Sequence, residues 1–154
     1  MARLGSIVVG TDGSERAERA VDRAGEIASA LGVSVHVVSG YSRGSGGGVR
    51  VGAAVPGVAV VERQADEEKR TRAQHYVDRA QQRLAEVGVA SETHVWPDEP
   101  ADALVGIADE QGAQMIIVGN RGMTGARRVL GSVPNRVSHT AHCDVLIVPT
   151  DPDS

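Results

Sequence analysis

Aromatic residues are nearly absent from this chain, which has no Phe, one Trp and two Tyr among its 154 residues. The core must therefore be built from Val, Ile, Leu and Ala, which suits helices packed on a Val-rich sheet. Proteins that bind single-stranded nucleic acids use aromatic side chains to stack bases, and nucleic-acid binders usually carry a basic surface. Because the net charge here is −4, we expect no nucleic-acid partner.

Cysteine is also scarce. The single cysteine, Cys143, excludes an intramolecular disulfide and fits a reducing compartment. The N-terminal apolar run is too short for a signal peptide, and no apolar stretch approaches the roughly 20 residues that cross a bilayer. We therefore expect a cytoplasmic protein that has no membrane contact and forms a single domain over residues 1–154.

Apolar periodicity predicts strands that alternate with helices along the whole chain. The predicted strands are Ser6–Val9, Val33–Val37, Ala90–Trp96, Met115–Val118 and Val145–Val148. The predicted helices are Ala17–Leu31, Glu62–Val87, Ala101–Ala108 and one that begins near Ser132. A Gly- and Ser-rich stretch at 42–57 predicts a flexible loop. This alternation is typical of a parallel sheet with helices on both faces.

The most informative stretch follows the fourth predicted strand. Gly119, Gly122 and Gly125 allow close backbone approach and positive φ, and Gly131-Ser132 opens a helix. Amides at a helix N-terminus bind anions, so those of Gly131, Ser132 and Val133 predict a phosphate site. The nearby cations are Arg121, Arg127 and Arg128. The alternative is that these glycines only make a long turn and that Ser132 is an N-cap.

Two better-known phosphate sites are excluded by the position of Lys69, the only lysine in the chain. A Walker A loop needs a lysine beside its last glycine, and a response-regulator receiver needs one after its last strand. Asp12, in the turn after the first strand, has two possible roles. It can cap the following helix with Glu15, or it can accept hydrogen bonds from ribose hydroxyls and help to hold a metal on the phosphates.

Other candidate constellations are weaker. His139, His142 and Cys143 could form a metal pair or a thiol–imidazole pair, but a third or fourth metal ligand is not visible. Cys143 fits a core position better. The remaining histidines show no pattern in the sequence: His36, His75 and His94.

Three segments match a known family: IVVGTDGSERA, GIADEQGAQMIIVGNRG and GSVPNRVSHTAHCDVLIVPT. Through them the chain resembles the universal stress protein family over essentially its full length. The motif of the nucleotide-binding branch is G-x2-G-x9-G-[ST]. Here Gly119-x2-Gly122 matches it, and eight residues instead of nine precede Gly131-Ser132.

The resemblance implies a doubly wound, Rossmann-like α/β fold with five parallel strands in the order 3-2-1-4-5. It assigns Gly119, Gly122, Gly131 and Ser132 to the phosphates, with Arg121 and Val133 beside them. It places Thr11 and Asp12 at the base and ribose, and Ser39 and Gly40 against the adenine.

The expected function is therefore that of a stress-response protein that senses or buffers ATP, with at most slow hydrolysis. Mg²⁺ or Mn²⁺ would be held by the phosphates. Cyclic AMP and AMP are alternative ligands, since relatives with a similar GSVP ending resemble cyclic-AMP binders. A second alternative is an interaction protein that binds no nucleotide and acts through its dimer surface. No residue set suggests an efficient hydrolase.

We predict a homodimer through the fifth strand, Val145–Val148. An uncovered apolar edge strand promotes aggregation, and pairing it with its twin across a two-fold axis removes that edge. The family resemblance implies the same arrangement. Light scattering at micromolar concentration should give the mass of a dimer, whereas Ile147→Lys should give monomer or insoluble protein. A monomeric wild-type chain would contradict this prediction.

Overall fold

Strands and helices alternate strictly in a computed structural model that describes residues 5–43, 57–120 and 130–150. The strands are β1 (Ile7–Gly10), β2 (Val35–Gly40), β3 (Ser91–Trp96), β4 (Met115–Asn120) and β5 (Asp144–Pro149). The helices are α1 (Glu15–Leu31), α2 (Val58–Glu86), α3 (Pro100–Gln111) and α4 (Ser132–Thr140). Most of the Gly- and Ser-rich stretch predicted as a flexible loop lies outside the described residues.

All strand pairs are parallel, and the strand order is β3-β2-β1-β4-β5, which confirms the predicted fold. β1 lies in the centre between β2 and β4, so the direction of winding reverses beside it. A crevice forms at such a switch point, outside the carboxyl ends of the strands. β5 lies at one edge of the sheet, as predicted, and β3 lies at the other.

The three central strands, β1, β2 and β4, are largely buried on both faces because helices cover each side of the sheet. Side chains of one strand alternate between the faces. The face covered by α1 and α2 receives the strand residues Ile7, Val9, Val35, Val37 and Ile117. The face covered by α3 and α4 receives Val8, Val38, Ile116 and Val118. The aliphatic core expected from the composition is therefore two thin layers, one on each side of the sheet.

Charged side chains connect α1 to α2 at the surface. Arg79 pairs with Glu18, and Arg83 makes two hydrogen bonds to Asp22. These bonds raise the pKa of Arg83. Because these side chains are largely exposed, each pair adds little stability. No helix in the described parts of the chain combines the length and the apolar character needed to cross a membrane.

The start of α1 corrects one prediction. The N-cap is Ser14, whose Oγ accepts the Ala17 N–H at 3.2 Å, and Asp12 does not cap the helix. Asp12 Oδ1 instead accepts the Ser14 N–H at 3.0 Å and the Ser14 hydroxyl at 2.6 Å. A hydroxyl can donate to Asp12 while it accepts from Ala17, which a carboxylate cannot do. Gly32 ends α1 in the left-handed conformation, as predicted.

Gly40 lets the chain that enters α3 pass directly over the end of β2. A Cβ at position 40 would lie 2.8 Å from Pro100 Cα and 2.9 Å from the Asp98 carbonyl oxygen. Both atoms belong to the backbone, so neither can move aside as a flexible side chain would.

We therefore expect Gly40→Ala to lower the free energy of unfolding by about 1–3 kcal/mol, the usual range for overpacking. The control is Gly106→Ala within α3, where a Cβ meets nothing within 4 Å. Its better helix propensity should raise the free energy of unfolding by up to about 1 kcal/mol. Urea unfolding followed by circular dichroism measures both, and equal effects of the two substitutions would contradict the packing argument.

Candidate functional site

A cavity of about 340 Å³ opens at the carboxyl ends of the strands, beside the switch point. Small-molecule sites usually have a volume of roughly 300–1,000 Å³. The last residues of three strands, Gly10, Gly40 and Asn120, contribute to its wall, and the N-terminal turns of α1 and α4 complete it. The cavity therefore lies where the fold predicts a ligand.

Most of the predicted site residues meet at this cavity. It is lined by Thr11, Asp12, Gly40, Gly119, Gly131, Ser132 and Val133. Ser39 does not line it, because its side chain is buried in the sheet; its neighbours Val38 and Gly40 line the cavity instead. Arg121 and Gly122 lie outside the described residues. The topology thus brings the predicted segments together, and their binding role stays a prediction.

The start of α4 offers two backbone donors to the cavity. Gly131, the N-cap, already donates its N–H to Asn120 Oδ1 at 2.7 Å. The amides of Ser132 and Val133 have no acceptor among the residues that the structure describes. Pro134, the next residue, has no N–H. The predicted group of three free amides is therefore reduced to two.

Two details at this helix start differ from the sequence predictions. Ser132 is the first helical residue, so the alternative that it is an N-cap is wrong. Gly131 has φ −62°, which any residue can adopt, and a Cβ there would make only ordinary contacts, 3.4 Å from Asn120 Oδ1 and 3.6 Å from Pro134 Cδ. A side chain at position 131 is therefore compatible with this backbone.

Gly119 belongs to β4, where it pairs with Val148 of β5, and it precedes the glycine loop proper. A Cβ at position 119 would lie 2.8 Å from Thr150 Cγ2. A side chain at position 119 would therefore have to displace the buried Thr150 side chain, so packing inside the protein favours glycine here whether or not a ligand approaches.

Asn120 is the important residue that the sequence reasoning missed. It is only 2% exposed, and its backbone oxygen accepts both the N–H and the hydroxyl of Thr150, at 3.2 and 2.8 Å. Since its side chain also accepts the Gly131 amide, one residue joins β4, the start of α4 and the end of β5. The signal in the sequence that could have found Asn120 is a polar residue at the end of an otherwise apolar strand.

The turn after β1 is held by its own side chains. Thr11 donates its N–H to the Val38 carbonyl at 2.9 Å, and its Oγ1 accepts the Gly13 N–H at 3.2 Å. Gly13 has φ +76°, and its Cα packs under the ring of Tyr76, where no side chain would fit. Asp12 uses Oδ1 for Ser14, and in the described structure Oδ2 has no partner. One carboxylate oxygen thus remains available at the cavity.

Arg16 is a second lining residue that the sequence reasoning missed. It lies in the first turn of α1 and is exposed, and no acidic side chain of the described residues pairs with it. It therefore places a positive charge at the rim of the cavity, opposite in sign to Asp12.

A smaller cavity of about 180 Å³ lies between α1 and α2. Its charged lining residues include Glu18, Arg79 and Arg83, which pair with one another. Because these groups already satisfy each other, this cavity carries no argument for a ligand.

Cys143 and His142, which were candidates for a shared site, have different surroundings in the structure. Burial, with smaller effects of Asp109 and Asp144, raises the pKa of Cys143, so its thiol stays protonated at neutral pH and packs against the core. His142 Nδ1 lies 3.1 Å from both carboxylate oxygens of Asp109. His36 and His94 show no pattern in the sequence, yet their ring nitrogens lie 3.0 Å apart across β2 and β3.

Comparisons with known proteins agree with this geometry. The universal stress protein family matches residues 4–149. The chain belongs to the universal stress protein family. The universal stress protein Rv1636 of Mycobacterium tuberculosis is 37% identical over an alignment 158 positions long. The alignment covers 97% of this chain and 99% of that protein.

Two solved universal stress proteins contain an adenine nucleotide. One, in complex with cAMP, is 34% identical, has a TM-score of 0.68, and is aligned over 96% of this chain and 98% of its own. The other, from Archaeoglobus fulgidus in complex with dAMP, is 27% identical with a TM-score of 0.67 and covers 96% of this chain and 99% of its own.

In this universal stress protein, Asn120→Ala should lower the free energy of unfolding by about 1–3 kcal/mol, because it leaves the Gly131 amide without its acceptor. The control is Asn135→Ala, an exposed position on α4, which should change it by less than about 0.5 kcal/mol. Urea unfolding of both variants measures the difference. A neutral Asn120→Ala would show that the link between β4 and α4 is dispensable.

Proposed function

We propose that this universal stress protein binds an adenine nucleotide in the 340 Å³ cavity, with a phosphate at the start of α4. The observation that carries the proposal is the pair of amides, Ser132 and Val133, that have no acceptor among the described residues and line the cavity. Amides at a helix N-terminus favour an anion, because the helix dipole adds to their hydrogen bonds.

Charge at the rim supports the phosphate position. Arg16 lines the cavity without an acidic partner in the described parts of the chain, and a guanidinium makes charge-assisted hydrogen bonds to phosphate oxygens. Ser132 adds a hydroxyl donor beside its own amide. The predicted phosphate residues Arg121 and Gly122 belong to the segment between β4 and α4, outside the described residues.

The remainder of the cavity suits a nucleoside. Asp12 Oδ2 is available to accept a hydrogen bond from a ribose hydroxyl. Val38, Pro100 and Leu104 form an apolar wall beside Gly40, against which a flat base can lie. The cAMP and dAMP complexes of the related proteins favour adenine as that base.

A single phosphate fits the described donors best. Two free amides and one hydroxyl hold one phosphate group, which favours a monophosphate such as cyclic AMP. ATP is the second candidate, favoured by the motif Gly119-x2-Gly122 and by the arginines that follow β4. ATP would carry Mg²⁺ or Mn²⁺ on its phosphates, with Asp12 as the lining carboxylate able to assist.

The proposed role is to sense or buffer the nucleotide without efficient turnover. Phosphoryl transfer needs a group that orients the attacking water and a charge clamp on the leaving group. Asp12 is the carboxylate at the described cavity wall, and one of its oxygens already holds Ser14. We place this activity in the cytoplasm, in a homodimer formed through β5.

Competitive titration of the purified chain with ATP, ADP, AMP, cyclic AMP and GTP tests the proposal. We expect an adenine nucleotide to bind with micromolar affinity, on the order of −8 kcal/mol, and GTP to bind much more weakly. Magnesium should strengthen ATP binding and leave cyclic AMP binding unchanged. Absence of binding by every adenine nucleotide would refute the proposal and favour an interaction protein that acts through its dimer surface.

Substitutions at the start of α4 locate the site. Gly131→Val should abolish nucleotide binding while the fold persists, since this backbone tolerates a Cβ there. Ser132→Ala should weaken binding by about 0.5–1.5 kcal/mol, the value of one neutral hydrogen bond. The matched control is Ser138→Ala, in the last turns of the same helix, where the hydroxyl bonds to the Asn135 carbonyl. Unchanged affinity in Gly131→Val would place the nucleotide elsewhere.

A further inference from the structure

Three side chains with metal-ligating atoms converge on one face of the sheet, near the edge formed by β3. The parallel register pairs His36 of β2 with Glu92 of β3 and pairs Val38 with His94. Positions 92 and 94 of one strand point to the same face, and His36 shares the face of Val38, which is covered by α3. The three side chains therefore meet although 58 residues separate the two histidines.

Their separations suit a common cation. His36 Nδ1 lies 3.0 Å from His94 Nε2 and 3.9 Å from Glu92 Oε2, and all three ligand atoms lie within 4.8 Å of one another. Two nitrogens bound at about 2.0–2.1 Å to a tetrahedral zinc ion are roughly 3.3 Å apart. The imidazole rings are tilted by 46°, with centroids 5.1 Å apart, and so do not stack.

The ligand atoms that must move to share one ion belong to the more exposed side chains. The side chain of Glu92 is 72% exposed, and His94 is half-buried, whereas that of His36 is only 7% exposed and fixed in the sheet. A common ion requires the Glu92 carboxylate, now 3.9 Å from His36 Nδ1, to move closer to the two imidazoles, and its exposed side chain can make that movement.

The simpler reading of the short distance is a hydrogen bond between the two imidazole rings. Burial, and then the neighbouring His94, lower the pKa of His36, while Glu92 acts in the opposite direction. A neutral imidazole has a lone pair on one nitrogen and is the form that ligates metals. In the hydrogen bond one of the two facing nitrogens carries a proton, so cation binding requires that ring to carry its proton on the other nitrogen instead.

We propose that His36 Nδ1, His94 Nε2 and the Glu92 carboxylate form a binding site for a divalent transition cation of the zinc class. Three protein ligands leave the fourth position of a tetrahedral ion for water, on the exposed side occupied by Glu92. Two imidazoles with one carboxylate suit Zn²⁺, Co²⁺, Ni²⁺ or Cu²⁺, whereas Mg²⁺ and Ca²⁺ prefer oxygen ligands alone.

This site is separate from the nucleotide cavity. His36 precedes Gly40, a residue of the cavity wall, by four positions along β2. At the rise of a parallel strand this is about 13 Å. A cation here would join the edge strand β3 to β2, and would stabilise the sheet without touching the phosphate.

Calorimetric titration of the nucleotide-free chain with zinc chloride tests the proposal. We expect one Zn²⁺ per chain, with at least tenfold weaker binding in both His94→Gln and Glu92→Gln. The matched control, His75→Gln, removes an exposed histidine of α2 and should bind zinc as the wild type does. Magnesium chloride at the same concentration should give no binding at this site.

A second control covers adventitious zinc. His142 and Asp109 form another exposed pair, so a loss of zinc binding in His142→Gln, with full binding in His94→Gln, would overturn the proposal. Absence of zinc binding by the wild type would do the same. Thermal unfolding adds an independent measurement, because a ligand that binds only the folded state raises the Tm. Zinc should raise the Tm of the wild type and of His75→Gln, and should leave that of Glu92→Gln unchanged.

Discussion

Asn120 holds the end of β4 to two elements that follow it in the chain. Its side-chain oxygen accepts the Gly131 amide at 2.7 Å, and its backbone oxygen accepts the N–H and the hydroxyl of Thr150. Because the side chain is buried, losing these bonds would leave donors without water to replace them. The position of the α4 N-terminus, and with it the two remaining amides at the cavity, depends on this link.

In this protein with few aromatic residues, neighbouring elements approach each other closely at two glycines. Gly40 lies under the chain that leads into α3, and Gly119 lies against Thr150. Both glycines are predicted to serve a ligand, and protein packing favours glycine at both positions as well. A glycine at the mouth of a cavity in this fold therefore has two reasons to be there, and its presence alone does not locate a phosphate.

The carboxyl ends of the central strands and the edge formed by β3 carry different chemical groups. The carboxyl ends of β1, β2 and β4 converge with two helix N-termini, the arrangement at which doubly wound folds bind anions and at which the nucleotide is proposed to bind. The edge formed by β3 instead brings two imidazoles and a carboxylate together, which gives donors for a cation. The two proposed sites are thus separated along β2, because His36 near its start lies on the face covered by α3, whereas Gly40 at its end lines the cavity.

Local pattern was enough to predict a parallel sheet with helices on both faces and the neighbourhood of the cavity, and the family resemblance added the strand order. Apolar periodicity gave five strands and four helices, and strand ends in a parallel sheet must lie at one edge of it. The details at element ends were less predictable, because capping depends on single atoms. Ser14, and not Asp12, is the N-cap of α1, and Gly131, and not Ser132, is the N-cap of α4. Each shift of one or two residues changes which amide is free.

The sequence by itself determined the class of fold, because the burial of Val, Ile, Leu and Ala is written into the spacing of neighbouring residues. Only the tertiary structure decided which distant polar groups meet. His36 and His94 come together through the register of β2 and β3, and Asn120 reaches Gly131 because α4 folds back over β4. Register and crossover are set by the packing of the whole sheet, so no local pattern of residues records them.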